Sequence, residues 1–109
     1  MAETIKFEDF AKLEIRIGKI LSAERVEDSN KLLKLEVDFG DVKRQILVGI
    51  AKFYEPENLV GKECPFAFNL EPKSLGGLES QGMILCPSDE NGPVLLHPDK
   101  PVPSGAKIK

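Results

Sequence analysis

Several residue types that often carry function are scarce in this chain of 109 residues. Tryptophan is absent, Tyr54 is the only tyrosine, and the six phenylalanines fall mostly at core-period positions. Few aromatic side chains are therefore available for stacking on the bases of a single strand. No apolar run approaches the ~20 residues of a membrane-spanning helix, and the acidic N-terminus lacks a signal-peptide pattern. We therefore expect a cytoplasmic protein without membrane association.

Reactive side chains are equally sparse. His97 is the only histidine, and no residue that could orient it as a base or metal ligand recurs nearby. Cys64 and Cys86 lack the spacing of metal ligands, so two buried free thiols are expected rather than a disulfide. The phosphate-binding pattern G-x-x-x-x-G-K-S/T is also missing. We expect neither an enzyme nor a bound metal or cofactor.

Positive charge is not in excess. The chain carries 15 Lys and Arg against 18 Asp and Glu, a net charge of -3. Nucleic-acid-binding domains tend to be basic, although a local patch can still hold phosphates. The acidity lowers the expected affinity for a nucleic acid without excluding that function.

Alternation of apolar and polar residues predicts five strands. The period of two is clearest from Leu33 to Phe39, and Gly18 interrupts the first strand as a bulge or bend would. A short helix begins at Pro56. The other strands are predicted at residues 13–21, 46–50, 65–70 and 83–86. The order predicts an all-β single domain over residues 1–109, a five-stranded OB-fold barrel with one short helix between strands three and four. The Pro-rich residues after Asn91 are too irregular for further core strands and are expected to lie along the barrel as a C-terminal extension.

The stretch from Asn69 to Met83 is the most informative segment. It reads N-L-E-P-K-S-L-G-G-L-E-S-Q-G-M. Three glycines supply the backbone freedom for bends, and polar side chains add hydrogen-bond donors around the same turn. A rim of donors on a small β-scaffold suits contacts to phosphates and base edges. The stretch resembles the signature N-L-x-P-x-x-x-x-G-x-x-S-x-G-M of the tRNA-binding domain that is appended to, or split from, methionyl-tRNA synthetases.

The resemblance covers nearly the whole chain. Further matching blocks lie in the expected order at residues 9–20, 30–40, 56–62 and 98–107. Two departures remove positive charge or a polar anchor: many members have Lys or Arg where this chain has Ser74 and Gly76, and the frequent H-P-x-A-D reads here as residues 26–30. Both departures bear on affinity more than on fold.

The resemblance implies a non-catalytic tRNA-binding module. It also implies a homodimer, with residues of about 94–109 helping to build the interface, and a methionyl-tRNA synthetase catalytic subunit as a possible partner. The resemblance itself marks Lys31 and Ser80 as positions that contact tRNA. Together with the polar and basic residues around them, the predicted tRNA-binding residues are Arg16, Lys31, Asn69, Lys73, Ser80, Gln81 and Met83.

Each of these residues also has a purely structural interpretation. Lys31 could be a solvated residue at a strand edge, and Lys73 a plain exposed lysine. Asn69 could cap the loop backbone, whereas Arg16 could pair with an acidic neighbour. The polar pair Ser80 and Gln81 could bond its own turn, and the thioether of Met83 is expected mainly in the core.

Two other functions remain open from the sequence. One is a protein-binding module like the export-chaperone branch of the same superfamily, which shares the P-D-x-P-V-P-x-G ending found at residues 98–105. That branch generally lacks the S-x-G-M run that this chain has at residues 80–83, so the run favours tRNA. The other is a pure dimerisation module whose RNA contacts have decayed.

Overall fold

The structure is a computed structural model that describes residues 2–109. Within this range almost all of the regular secondary structure is β-strand. One helical turn, α1, spans Phe7–Phe10, and a 3-10 turn spans Pro56–Asn58. The strands are β1 (Ile15–Arg25), β2 (Leu33–Asp38), β3 (Lys43–Val48), β4 (Glu63–Ala67), β5 (Lys73–Leu75), β6 (Leu78–Ser80), β7 (Met83–Ile84), β8 (Ser88–Asp89), β9 (Gly92–Pro93) and β10 (Lys107–Ile108).

The barrel consists of five antiparallel strands in the order β3-β2-β1-β4-β7. Strand β1 is long enough to pair with β4 through its first half and with β2 through its second half, and a register shift between Ile20 and Ser22 interrupts the pairing with β2. The 3-10 turn lies between β3 and β4. The predicted fold, with its helix between the third and fourth strands, is confirmed.

Gly18 is where β1 crosses the core. A Cβ atom at this position would lie 2.4 Å from Cγ1 of Val37 and 2.7 Å from Cε1 of Phe39. Glycine interrupts the apolar pattern of β1 at this position because β1 passes too close to Val37 and Phe39 to leave room for a side chain. The register shift in the pairing with β2 follows a few residues later.

The core follows the alternation of β2. Leu33, Leu35 and Val37 are buried, and the phenyl ring of Phe39 continues the same row. The Phe39 ring packs edge-on against that of Phe66, with 5.5 Å between ring centroids. Burial of such side chains contributes about 1.5–3 kcal/mol each, so this row supplies much of the stability of the barrel.

Three regions differ from the sequence-based expectation. Helical turn α1 was not predicted, and the stretch between β4 and β7 forms a hairpin, β5–β6, rather than a plain loop. The C-terminal extension was expected to add no core strand, and its end forms a short exposed strand, β10, beside the barrel. Ile108 pairs with Ile15 in β1, because the extended backbone of β10 offers hydrogen bonds to a free edge that local sequence cannot reveal.

Both cysteines are free thiols, as predicted, but only Cys64 is fully buried. Burial raises the pKa of the Cys64 thiol to about 11, and burial also raises the pKa of Cys86, which is partly exposed. Among residues 2–109, no helix is long and apolar enough to cross a membrane.

Candidate nucleic-acid interface

The signature stretch folds into the hairpin β5–β6. Lys73 pairs with Ser80 at its base, and Gly76 and Gly77 form its tip with φ angles of 55° and 81°. Backbone in this left-handed region favours glycine. The tip leans on the segment that enters β2, since a Cβ atom at Gly76 would lie 3.2 Å from Cδ1 of Leu32. The hairpin therefore bridges β3 and the start of β2.

Ser80 lies in the joint between this hairpin and β3. Its side chain is buried, and its hydroxyl accepts a hydrogen bond from the backbone N–H of Leu47 at 3.0 Å. The same hydroxyl donates to the carbonyl of Gly82, also at 3.0 Å. The hydroxyl thus has both of its partners inside the chain, which gives Ser80 a structural role.

Gln81 continues the same joint. Its backbone N–H donates to the carbonyl of Gln45 at 2.8 Å, and its side-chain Oε1 accepts from the N–H of Gln45 at 3.0 Å. The side chain of Gln45 in turn donates to the carbonyl of Glu79. Side chains therefore supply hydrogen bonds where β3 meets the hairpin, and they close the barrel at this edge.

Asn69 holds the segment before β1 against the end of β4. Its Nδ2 donates to the carbonyl of Lys12, and its Oδ1 accepts from the N–H of Glu14, both at 2.7 Å. Both ends of the amide are used in this way. The side chain ties the N-terminal segment to the barrel, as a cap of the loop backbone would.

Arg16 is held by acidic neighbours. Its guanidinium pairs with Glu14 and with Asp41, the latter at 3.1 Å, and only 18% of the side chain is exposed. The guanidinium also lies over the ring of Phe68, 3.9 Å from the centroid. These contacts match the interpretation that Arg16 pairs with an acidic neighbour, and they occupy the charge that a phosphate would use.

Arg44 completes this cluster and was not singled out from the sequence. Its guanidinium also lies over the Phe68 ring, 3.8 Å from the centroid, and its Nη1 donates to the carbonyl of Phe68 at 2.6 Å. It has no carboxylate partner among residues 2–109. Nothing in the sequence separates Arg44 from Lys43 beside it, because the Phe68 ring that selects Arg44 is far along the chain.

Lys31 and Lys73 are the most available charges near the hairpin. Both are exposed, and neither forms an ion pair with any residue that the structure describes. Lys31 precedes β2 beside the hairpin tip, whereas Lys73 opens the hairpin at its base. The fold therefore places two unneutralised ammonium groups at opposite ends of one short hairpin.

Met83 differs from its expected place in the core. Half of its surface, 50%, is exposed, as is 39% of the neighbouring Leu70. The expectation that Met83 lies mainly in the core is wrong, because β7 sits at the rim of the barrel, where one side of a strand faces solvent. The structure brings Lys73, Ser80 and Met83 to a single cleft. It places Arg16 at the start of β1, and Arg16 is not among the residues that line that cleft. Contact of any of the seven residues with tRNA stays a prediction.

Most of the chain matches a model of one known protein family. Residues 15–107 match the family model described as "Putative tRNA binding domain". The matched range contains every barrel strand and the β5–β6 hairpin. It also contains all seven of the predicted site residues.

Curated relatives are longer proteins. The methionine–tRNA ligase of Methanospirillum hungatei is 54% identical over 105 residues, which are 96% of this chain and 16% of that protein. The methionine–tRNA ligase of Caldanaerobacter subterraneus is 47% identical over 104 residues, covering 95% of this chain and 16% of that protein. The chain thus spans about a sixth of the length of these relatives.

Solved structures are similar over nearly the whole chain. A MetRS-related protein from Pyrococcus horikoshii has a TM-score of 0.93 at 38% identity, covering 99% of this chain and 100% of that one. The chaperone CsaA from Bacillus anthracis has a TM-score of 0.88 at 34% identity, covering 98% of this chain and 100% of that one. The same fold therefore occurs in proteins with two different descriptions.

Proposed function

The chain belongs to the family of putative tRNA-binding domains, and from this membership we propose that it is a non-catalytic module that raises the tRNA affinity of a methionyl-tRNA synthetase. The observation that carries the proposal is the family match over residues 15–107. The curated relatives that align over almost the whole chain are methionine–tRNA ligases, which supports the choice of enzyme.

The proposed contact is electrostatic and sequence-independent. Lys31 and Lys73 reach phosphates on either side of the hairpin, since neither ammonium group is neutralised by a carboxylate of the described chain. Lys34 contributes less, because it lies 2.7 Å from a carboxylate oxygen of Glu24. Few phosphate contacts and a net charge of -3 together give modest affinity with a shallow salt dependence.

The effect on aminoacylation follows from effective concentration. A second site on tRNA, linked to the catalytic body, makes rebinding of the tRNA intramolecular. The module then lowers the KM for tRNA and leaves kcat unchanged, because it makes no contact that exists only in the transition state. Fusing the chain to a catalytic body that lacks such a module and measuring both constants tests this role.

Titration of tRNA at several salt concentrations tests the binding face. We expect Lys31→Ala and Lys73→Ala each to weaken the binding of different tRNAs to a similar degree and to flatten the salt slope by about 0.7–0.9. Lys19→Ala is the matched control, an exposed lysine of β1 without an ion pair among residues 2–109. If both site variants bind like the parent at low salt while the parent binds tRNA, the face is misassigned.

A protein-binding function is the second candidate. The structural similarity to chaperone CsaA favours it, as do exposed apolar side chains at α1, where Phe7 is 80% exposed. The S-x-G-M run at residues 80–83 favours tRNA instead. Suppression of aggregation of an unfolded test protein, in a preparation that shows no tRNA binding at low salt, would make this candidate the better one.

Homodimer formation through residues 94–109 is part of the same proposal. Val94 and Leu96 are 45% and 44% exposed, and a groove of about 380 Å³ separates α1 from β10. Deleting the segment would also remove buried Leu95 and strand β10, so point variants give the cleaner test. We expect Leu96→Ser and Ile108→Ser to shift a sedimenting dimer toward the 12.0 kDa monomer. A parent that sediments as a monomer at micromolar concentration refutes the dimer.

A further inference from the structure

A small cleft opens beside the base of the hairpin. It holds a volume of about 180 Å³, with Leu70 and Met83 at its mouth and buried Leu47 among its lining residues. Leu70 and Met83 leave 39% and 50% of their surfaces in water. Two large apolar side chains exposed at one concave place are a feature of binding sites for flat or apolar groups.

The backbone at the cleft is fixed by close contacts. Gly82 has a φ of 150°, and a Cβ atom there would lie 3.0 Å from the carbonyl oxygen of Ala67 and 3.1 Å from Cδ1 of Ile46. Only a glycine lets the chain pass this close to β4 and β3. The next residue, Met83, is therefore presented from a constrained backbone.

Some polar groups at the cleft already have partners inside the chain, and others are free to contact a ligand. The hydroxyl of Ser80 is buried and already accepts from Leu47 and donates to Gly82. Lys73, which also lines the cleft, has no ion pair within the described chain. Glu71 lines the same cleft and likewise has no ion pair among residues 2–109. An occupant therefore meets an apolar mouth with one ammonium group and one carboxylate beside it. It finds no donor or acceptor on Ser80 that would read the edge of one base.

We propose that this cleft receives one unpaired, unstacked nucleobase of the bound tRNA, with the ring face against Met83 and Leu70 and an adjoining phosphate at Lys73. The inference rests on the proposed function and identifies the part of tRNA that enters the site. A flat ring next to a negative phosphate matches an apolar surface next to an ammonium group. Sulfur is polarizable and packs well on aromatic rings, and splayed bases are commonly held against aromatic or apolar side chains.

This role also fits the shortage of exposed aromatic platforms near the hairpin. Phe39, Phe66 and Phe68 are buried in the core, and the hydroxyl of Tyr54 accepts from the N–H of Leu95. The aliphatic and thioether surfaces of Leu70 and Met83 take the place that aromatic rings hold in other single-strand sites. Base identity matters little to such surfaces, so the cleft tolerates different bases.

The test compares Met83→Gln and Leu70→Ser with the control Val60→Ser, which alters another exposed apolar residue that does not line the cleft. The probe is a transcribed tRNA, titrated at several salt concentrations. Met83→Gln should weaken binding by about 2- to 10-fold, the range for one sulfur–aromatic contact, and Leu70→Ser should weaken it in the same direction. The salt slope should be unchanged, because no charge is removed. Val60→Ser should bind like the parent, and all three should unfold at the parent's urea midpoint.

A second readout locates the base. 2-Aminopurine is placed at each unpaired position of the tRNA in turn, and its fluorescence is followed on binding. We expect one position to change with the parent and to lose that change with Met83→Gln. Cleft variants that bind like the parent, while Lys73→Ala still weakens binding, overturn the base-binding cleft alone. A parent that binds no tRNA at low salt overturns the proposed function, and the cleft assignment with it.

Discussion

The hydroxyl of Ser80 offers the sharpest test of how the barrel is closed. Ser80→Ala removes one oxygen atom and changes no charge. In the folded protein that oxygen accepts from the N–H of Leu47 and donates to the carbonyl of Gly82. Leu47 is only 5% exposed, so its N–H has no ready access to water once the hydroxyl is gone.

The magnitude follows from the burial of that N–H. A buried donor that loses its partner costs about 1–3 kcal/mol, more than the net contribution of an ordinary hydrogen bond. We expect Ser80→Ala to lower the free energy of unfolding by about 2 kcal/mol. For a domain of this size such a loss lowers the Tm by roughly 8–15 °C. Ser74→Ala, on the same hairpin but exposed, should change the free energy by no more than about 0.5 kcal/mol.

Urea unfolding monitored by circular dichroism measures both variants. The midpoint of Ser80→Ala should fall while the slope m stays at the parent value, because the surface exposed on unfolding is unchanged. Binding of tRNA is then measured well below the lowered Tm. An unchanged midpoint for Ser80→Ala would refute the structural role. An unchanged midpoint together with weaker tRNA binding would show that the hydroxyl faces the ligand instead.

Three further outcomes are expected. Gly105→Ala should destabilise the protein by about 2–4 kcal/mol, because φ at Gly105 is +89° and the new Cβ would lie 2.0 Å from the carbonyl oxygen of Phe39. Urea unfolding measures this loss. The control is Gly49→Ala, where no atom lies within 4 Å of the new Cβ. Ser74→Lys should steepen the salt slope of tRNA binding by about 0.7–0.9, and Ser74→Gln should leave it unchanged. Burial raises the pKa of the Cys64 thiol from 9.0 to about 11, so the thiol of the unfolded chain ionises first. The free energy of unfolding should therefore fall by about 3 kcal/mol as the pH rises through this range. A Cys64→Ala variant with the same pH profile would contradict this.

The barrel strands could be predicted because each one depends on residues that are close together in the sequence. In β2, the apolar residues Leu33, Leu35 and Val37 alternate with Lys34 and Glu36. This short alternation predicts both the strand and the face that is buried. The position of the 3-10 turn was equally readable, because Pro56 favours the first position of a helical turn. Such features need no knowledge of what lies opposite them.

The candidate site was less predictable because its residues act on distant partners. The N–H that Ser80 accepts from belongs to Leu47, 33 residues earlier, and no local pattern separates this serine from one that merely forms a turn. Met83 looked like a core residue because apolar side chains favour the interior. That preference gives no information about which apolar residues lie at a rim. Position at the edge of a closed barrel is a property of the whole chain.

The pairing of β10 with β1 has a consequence for how the chain folds. Ile15 lies opposite Ile108, and the N–H of Gly105 donates to the carbonyl of Ile17 at 2.7 Å. These contacts join segments at nearly the greatest sequence separation that the chain allows. Folds dominated by such distant pairings form slowly, on a scale of milliseconds to seconds, because the entropy of closing long loops is lost before the contacts form.

During synthesis, the same pairing sets the order of events. Strands β1, β2 and β3 can meet once residue 48 has emerged from the ribosome, but the edge of β1 at Ile15 and Arg16 stays open until the last strand appears. An open strand edge is a template for pairing with other chains. Completion of the sheet therefore waits until residues 107–108 have emerged, and a ribosome stalled before residue 105 would hold a nascent chain with this edge exposed.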